Sequence, residues 1–183
     1  MLELAAATTD PDGALALAEQ LGGTVYVDHR AEWQHLPFRA LLTVATDDTE
    51  TIAQLGDVGT YVVFRRVIKP GQAGVFGLFP LVRRPDLTHR EADSHWRDVH
   101  GPLALEHHAH MRHYAQLSVV ANLSGAPFDG FALVGFATEQ DLRERFYTTA
   151  DSPAVIAADV ARFADGKRSP RRLIAVEHPF SSR

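Results

Sequence analysis

The chain has 183 residues, with 18 Lys and Arg against 23 Asp and Glu, a net charge of −5, ten His and no Cys. That length suits one domain or two small ones, and an apolar share of 45% speaks against disorder. The mild acidity means that no strong basic excess favours nucleic acid or anionic membrane, and the lack of Cys excludes disulfides, thiolate nucleophiles and Cys-ligated zinc or iron–sulfur clusters.

Leu2–Ala7 reads as a short first strand. Asp10-Pro11-Asp12-Gly13 is a helix-start signal before an Ala/Leu-rich helix over Ala14–Leu21, which Gly22-Gly23 stops. Thr24–Asp28 and Arg39–Ala45 are β-rich, Asp47-Asp48 caps a short helix over Thr49–Leu55, and Thr60–Ile68 is a strong strand. Lys69-Pro70-Gly71-Gln72 reads as a turn or linker. The order then recurs. Val75–Val82 is a strand, and Thr88–Leu105 a helix with Thr88 and Glu91 at capping-box spacing. Met111–Leu123 and Phe131–Ala137 are strands, Glu139–Tyr147 and Pro153–Phe163 helices, and Arg172–Glu177 the last strand. The longest apolar stretch, Gly74–Val82, is broken by glycines and Pro80 and is too short for the ~20 residues of a membrane span. The N-terminus has no basic region of the secretory type, so a cytoplasmic protein is expected.

Both halves therefore read β-α-β-β-α-β, the ferredoxin-like unit. The expected fold is α+β, with a degenerate unit over 1–70 and a second over 74–178 fused in one chain. Each unit has helices on one sheet face and leaves the other bare. Joining the bare faces makes an α+β barrel with a lumen, as a monomeric pseudo-dimer or in a homodimer.

Phe79–Pro85, Leu87–Glu91, the segment His95–Leu103 with its W-x-x-x-H-x-P pattern (Trp96, His100, Pro102), the turn Phe128-Asp129-Gly130 and the A-x-D-x-x-x-F helix (Ala157, Asp159, Phe163) occur in one ordered set. Over about residues 74–178 this set resembles the EthD family of the dimeric α+β barrel superfamily. The resemblance implies that fold. It also implies chemistry linked to ether degradation, or to dehydration, decarboxylation or cyclisation of aromatic polyketides.

On the helix from Thr88, about 100° per residue puts Ala92, Trp96, Val99 and Leu103 on one stripe, with His95 and His100 on its flanks. His100 precedes Gly101-Pro102, which can end or kink the helix, and an imidazole there can act as acid or base. Asp159 falls inside the apolar stripe of Val155, Ile156, Val160 and Phe163. A buried carboxylate needs a partner, so an Arg, a His, a backbone amide or a substrate must meet it. Along Met111–Leu123 the odd positions are mostly apolar, while Arg112, Tyr114, Gln116 and Ser118 alternate with them. Period-two alternation then points the polar row into the lumen, where it suits an oxygen-bearing ligand. His107, His108, His110 and His113 read as a surface His-rich loop; no metal is expected.

The expected catalytic residues are His100 as acid/base and Asp159 as an orienting or polarising group. Arg112, Tyr114, Gln116, Trp96 and His95 are the expected substrate contacts. No nucleotide or flavin signature is present, and no cofactor is expected. The expected function is a cofactor-independent enzyme. It would act by proton transfer, as a lyase or cyclase, on a hydrophobic, oxygenated, aromatic or polyketide-like small molecule. A non-catalytic small-molecule binder using the same barrel cavity and an EthD-like oxidoreductase remain the alternatives.

Overall fold

The computed structural model describes residues 1–30 and 33–181. Eight strands, β1 (Leu2–Thr8), β2 (Gly23–Val27), β3 (Ala40–Val44), β4 (Gly59–Lys69), β5 (Val75–Leu81), β6 (His113–Gly125), β7 (Gly130–Phe136) and β8 (Leu173–Phe180), close into one barrel. Its order is β1-β3-β2-β8-β5-β7-β6-β4, with every neighbouring pair antiparallel and β4 returning to β1. Each half shows the ferredoxin-like arrangement: β4-β1-β3-β2 in the first, β8-β5-β7-β6 in the second. The two meet through β2 with β8 and β4 with β6, so the barrel closes within a single chain. This is the expected fold class.

The helices begin where short polar side chains can satisfy free N–H groups. Asp10 caps α1 (Pro11–Leu21), Asp48 caps α2 (Thr49–Leu55), and Thr88 with Glu91 forms a complete capping box on α3 (His89–His95). In the second half α3 leads through a turn into α4 (Gly101–His107), followed by α5 (Glu139–Glu144) and α6 (Ser152–Phe163). In the first half α1 and α2 lay Ala14, Ala18 and Ile52 on the outward side chains Leu4, Ala6, Val25, Leu42 and Val44.

Among the described residues the lumen is a packed core. Tyr26, Tyr61, Phe76, Leu117, Phe131 and Leu133 fill it, and Tyr61, Phe128, Phe131 and Phe38 meet ring to ring at centroid distances of 5.4–6.1 Å. Toward one end the Arg65 guanidinium bonds to Glu3, Thr43 and Tyr26, and the Tyr26 hydroxyl donates to Glu177. The expected ligand cavity inside the barrel is thus replaced by packing. An eight-stranded barrel can be filled by side chains or hold one small ligand, and here aromatic residues from both halves take the space.

The face expected for β6 is also reversed. Ala115, Leu117 and Val119 pack in the lumen, whereas Tyr114 packs with Trp96, Ala92 and Ala104 under the helices. Period two fixes which residues share a face but not which face is inside. The lumen here is the more apolar side, and the helix-covered side carries the polar groups.

Gly130 in β7 sets how closely that helix layer approaches. A Cβ there would lie 2.5 Å from Cζ3 of Trp96 and 3.0 Å from the Leu117 carbonyl oxygen. Gly130→Ala should therefore displace the indole at an overpacking cost of about 1–3 kcal/mol. Thermal denaturation should show the lowered stability, and a changed tryptophan emission spectrum should accompany it.

Candidate active site

The chain from His89 to His107 is helical, with one π-helical turn at Trp96–His100 joining α3 to α4. Pro102 has no N–H to give the Asp98 carbonyl, and its ring would collide with that carbonyl in a regular helix. The wider turn relieves this: the Gly101 N–H reaches the Trp96 carbonyl. Gln116 Nε2 donates to the same oxygen at 2.9 Å.

An inserted residue rotates the following helix by about 100°. The buried series therefore runs Ala92, Trp96, His100, Ala104 and His108, while Val99 is 46% exposed. The expected stripe through Val99 and Leu103 is corrected, and His100 moves from a flank into the buried face.

That rotation brings His100 to Asp159. Asp159 Oδ2 accepts from His100 Nδ1 at 2.8 Å, and Oδ1 accepts from His95 Nε2 at 2.8 Å. The Phe163 ring lies 5.4 Å from that of His95 and 5.2 Å from that of His100. Asp159 and His100 are buried, His95 partly so. Burial pushes the Asp159 carboxyl up, but the hydrogen bonds from His95 and His100 outweigh it and hold the group below the usual carboxylate range. Burial lowers the pKa of His100, against the raising effect of Asp159. At neutral pH the arrangement is a carboxylate beside a neutral imidazole.

His100 lines a cavity of about 260 Å3 between the helices and the outer face of the second half's sheet. Trp96, Tyr114, His108, Phe146 and Phe163 share its wall. With Nδ1 held by Asp159, no described residue bonds the His100 Nε2. The Tyr114 hydroxyl accepts from Trp96 Nε1 at 3.2 Å and Gln116 Nε2 at 3.0 Å, and among the described residues nothing accepts its own proton. Burial pushes the Tyr114 phenol up to about 12, against the lowering effect of the bonds from Gln116 and Trp96.

The expected site residues separate accordingly. His100, Tyr114 and Trp96 line the cavity, and Asp159 stands directly behind His100. His95 lies on the far oxygen of Asp159, outside the cavity wall. Gln116 is buried and engaged by Trp96, Tyr114 and Arg66, whose guanidinium also pairs with Asp93 at 2.7 Å. It braces the π-helical turn and does not line the cavity. Arg112 precedes β6, is exposed, and borders a separate surface hollow beside Lys69 and His110. The placement of Arg112, Tyr114 and Gln116 in the lumen is corrected for all three.

The expectation that His108 lies in a surface His-rich loop, based on Gly101-Pro102 and the strand that follows, is corrected: His108 is buried. Its signal was the four-residue spacing from Ala92 through Ala104, once the helix continues. Among the described residues no cluster of three or more His, Asp or Glu is arranged to hold a metal ion. No helix among them is long and apolar enough to cross a membrane.

The folded pKa values of His100 and Asp159 both lie below their unfolded values of ~6.5 and ~3.9. For both groups the unfolded chain takes up the proton first, so stability falls as pH falls. The His100 contribution is present above ~6.5 and is lost as pH drops through its folded pKa. That of Asp159 is lost below ~3.9. Melting temperature should decline from pH 7 toward pH 5, and His100→Gln should make that decline shallower. Melts at matched ionic strength measure it.

Residues 84–167 match the EthD domain, inside the segment of about 74–178 whose motifs resemble that family. No curated protein matches the chain. Among solved structures, an anthrone oxidase-like protein is similar with a TM-score of 0.52 and 12% identity, over 97% of this chain and 92% of that one. A proposed monooxygenase of Lactobacillus acidophilus NCFM has a TM-score of 0.51 and 8% identity, over 96% and 92%. A proposed monooxygenase of Fusobacterium nucleatum subsp. nucleatum has 0.52 and 9%, over 100% and 95%. At these identities the likeness concerns the fold.

Proposed function

We propose that this chain, which carries an EthD domain over residues 84–167, is a cofactor-independent enzyme. It moves a proton to or from a hydrophobic, oxygenated small molecule held between helices and sheet. The observation that carries this reading is His100, bonded through Nδ1 to Asp159 at 2.8 Å while its ring lines the cavity. The bond to the carboxylate fixes the tautomer and leaves Nε2 as an acceptor.

An enolisable ketone suits this wall. The Tyr114 O–H donates to the carbonyl oxygen, and His100 Nε2 removes the adjacent C–H proton. The imidazolium that forms is stabilised by Asp159, whose other oxygen is pinned by His95. Trp96, Phe146 and Phe163 supply apolar contact and exclude water. Dehydration of a β-hydroxy ketone and aldol-type cyclisation start from such an enolate, and decarboxylation of a β-keto acid yields one by loss of CO2 that must then take up a proton. Every group used here belongs to the segment 74–178. The segment 1–70 acts as the partner unit that closes the barrel and holds the sheet rigid.

The test is deuterium uptake from heavy water into 2-tetralone, an enolisable aromatic ketone. The protein should exceed an equal concentration of imidazole. Binding of 2-tetralone without added exchange would identify a non-catalytic binder. The names of the solved relatives favour one second reading, an oxidation that starts with the same deprotonation. Consumption of dissolved oxygen alongside exchange would identify it.

A further inference from the structure

His108 lies in the part of the chain that reads as a surface loop, yet it is 4% exposed. Its Nδ1 donates to the Phe146 carbonyl at 2.6 Å, and its ring lies 4.4 Å from the Phe146 ring and 5.4 Å from that of Tyr147. The backbone around it is fastened to the segment before α6. The Thr148 N–H donates to the His107 carbonyl at 2.9 Å, the Ala109 N–H to Thr148 Oγ1 at 2.9 Å, and His107 Nδ1 pairs with Ser152 Oγ at 2.9 Å. His108 is thus a fixed wall of the cavity that His100 also lines.

The two imidazoles are alike in the feature that matters. Each commits Nδ1 to a protein acceptor, Asp159 for His100 and the Phe146 carbonyl for His108. Neither Nε2 has a partner among the described residues, although both rings border the cavity. They stand eight residues apart on the buried stripe, roughly 12 Å along the helix axis. The tie to the Phe146 carbonyl uses only Nδ1, and Phe146 and Tyr147 pack on the ring itself, so no contact among the described residues accounts for the second ring nitrogen at 108. An acceptor fixed by a carbonyl at one end of an apolar pocket is the type of group that orients a ligand.

We propose that His108 contacts the substrate: its Nε2 accepts a hydrogen bond from a hydroxyl of the ligand whose other oxygenated end lies at Tyr114 and His100. The inference rests on the cavity being the binding site. It adds that the ligand carries two separated oxygen functions, one of them a hydroxyl donor. Burial lowers the pKa of His108, against the raising effect of the Phe146 carbonyl, which keeps the acceptor nitrogen unprotonated at neutral pH.

The experiment compares the affinities of 2-naphthol and 2,6-naphthalenediol for the protein by calorimetry. The diol should bind roughly threefold to tenfold tighter, the scale of one net hydrogen bond. In His108→Asn the side-chain amide can still donate to the Phe146 carbonyl but offers no acceptor in the place of Nε2. There the ratio of diol to naphthol affinity should fall to about one, whatever change in affinity the two probes share. His108→Phe, which keeps the ring contacts, should behave likewise and serves if the Asn variant does not fold. In histidine-15N-labelled wild-type protein the His108 Nε2 resonance should move with the diol more than with naphthol. No diol advantage in the wild type, or one that survives both substitutions, overturns the role of His108 and leaves that of His100 standing. Failure of both probes to bind overturns the cavity reading, and His108 with it.

Discussion

Asp159→Asn lowers deuterium exchange into 2-tetralone by about 10²-fold or more, the scale of positioned general acid–base catalysis. The carboxylate accepts from two imidazoles at once, one on each oxygen. An amide keeps the shape but has one accepting oxygen, so His95 and His100 compete for it. Where the amide nitrogen faces His100 it donates, and Nδ1 must become the acceptor. The imidazole proton then moves to Nε2, the atom that should receive the substrate proton. The imidazolium also loses its counter-charge. The variant should fold, because hydrogen bonds remain and a buried charge has been removed. A drop in exchange with a retained near-UV circular dichroism spectrum is the expected result. Exchange at the wild-type rate in folded Asp159→Asn would make the Asp159–His100 pair a structural tie.

Phe131→Ala produces the opposite pattern. Phe131 is completely buried in the lumen and meets Phe38, Tyr61 and Phe128 at 6.1, 5.4 and 5.6 Å. Removing it leaves a cavity among side chains from both halves, at a cost of about 3–5 kcal/mol. For a chain of this size that corresponds to a melting temperature lower by roughly 6–20 °C. Exchange per folded molecule should stay near the wild-type value below the transition, since the cavity lies on the other face of the sheet. A ligand site in the lumen would instead couple loss of stability to loss of function, so the two variants together locate the site.

The element order and the caps follow from local chemistry: Asp10, Asp48 and the Thr88–Glu91 box sit where the chain has free N–H groups to satisfy. The two-fold β-α-β-β-α-β order was legible from these signals and the apolar runs, and a barrel followed from the need to cover two bare sheet faces; that it closes within one chain is seen in the structure. The need for a partner at Asp159 was legible too, because a carboxylate on an apolar stripe cannot stay unpaired. Three things were decided only in the tertiary structure. Alternation along β6 defines two faces but cannot say which is inside, and the choice fell to the aromatic side chains that fill the lumen from both halves. Pro102 announced a disturbed helix, but whether the chain stops, kinks or widens depends on partners such as Gln116, which bonds the Trp96 carbonyl. The widened turn carried His100 into the interior and extended the buried stripe to His108. The identity of the group meeting Asp159 followed from that rotation: two histidines five residues apart reach one carboxylate because the helix between them makes a π turn.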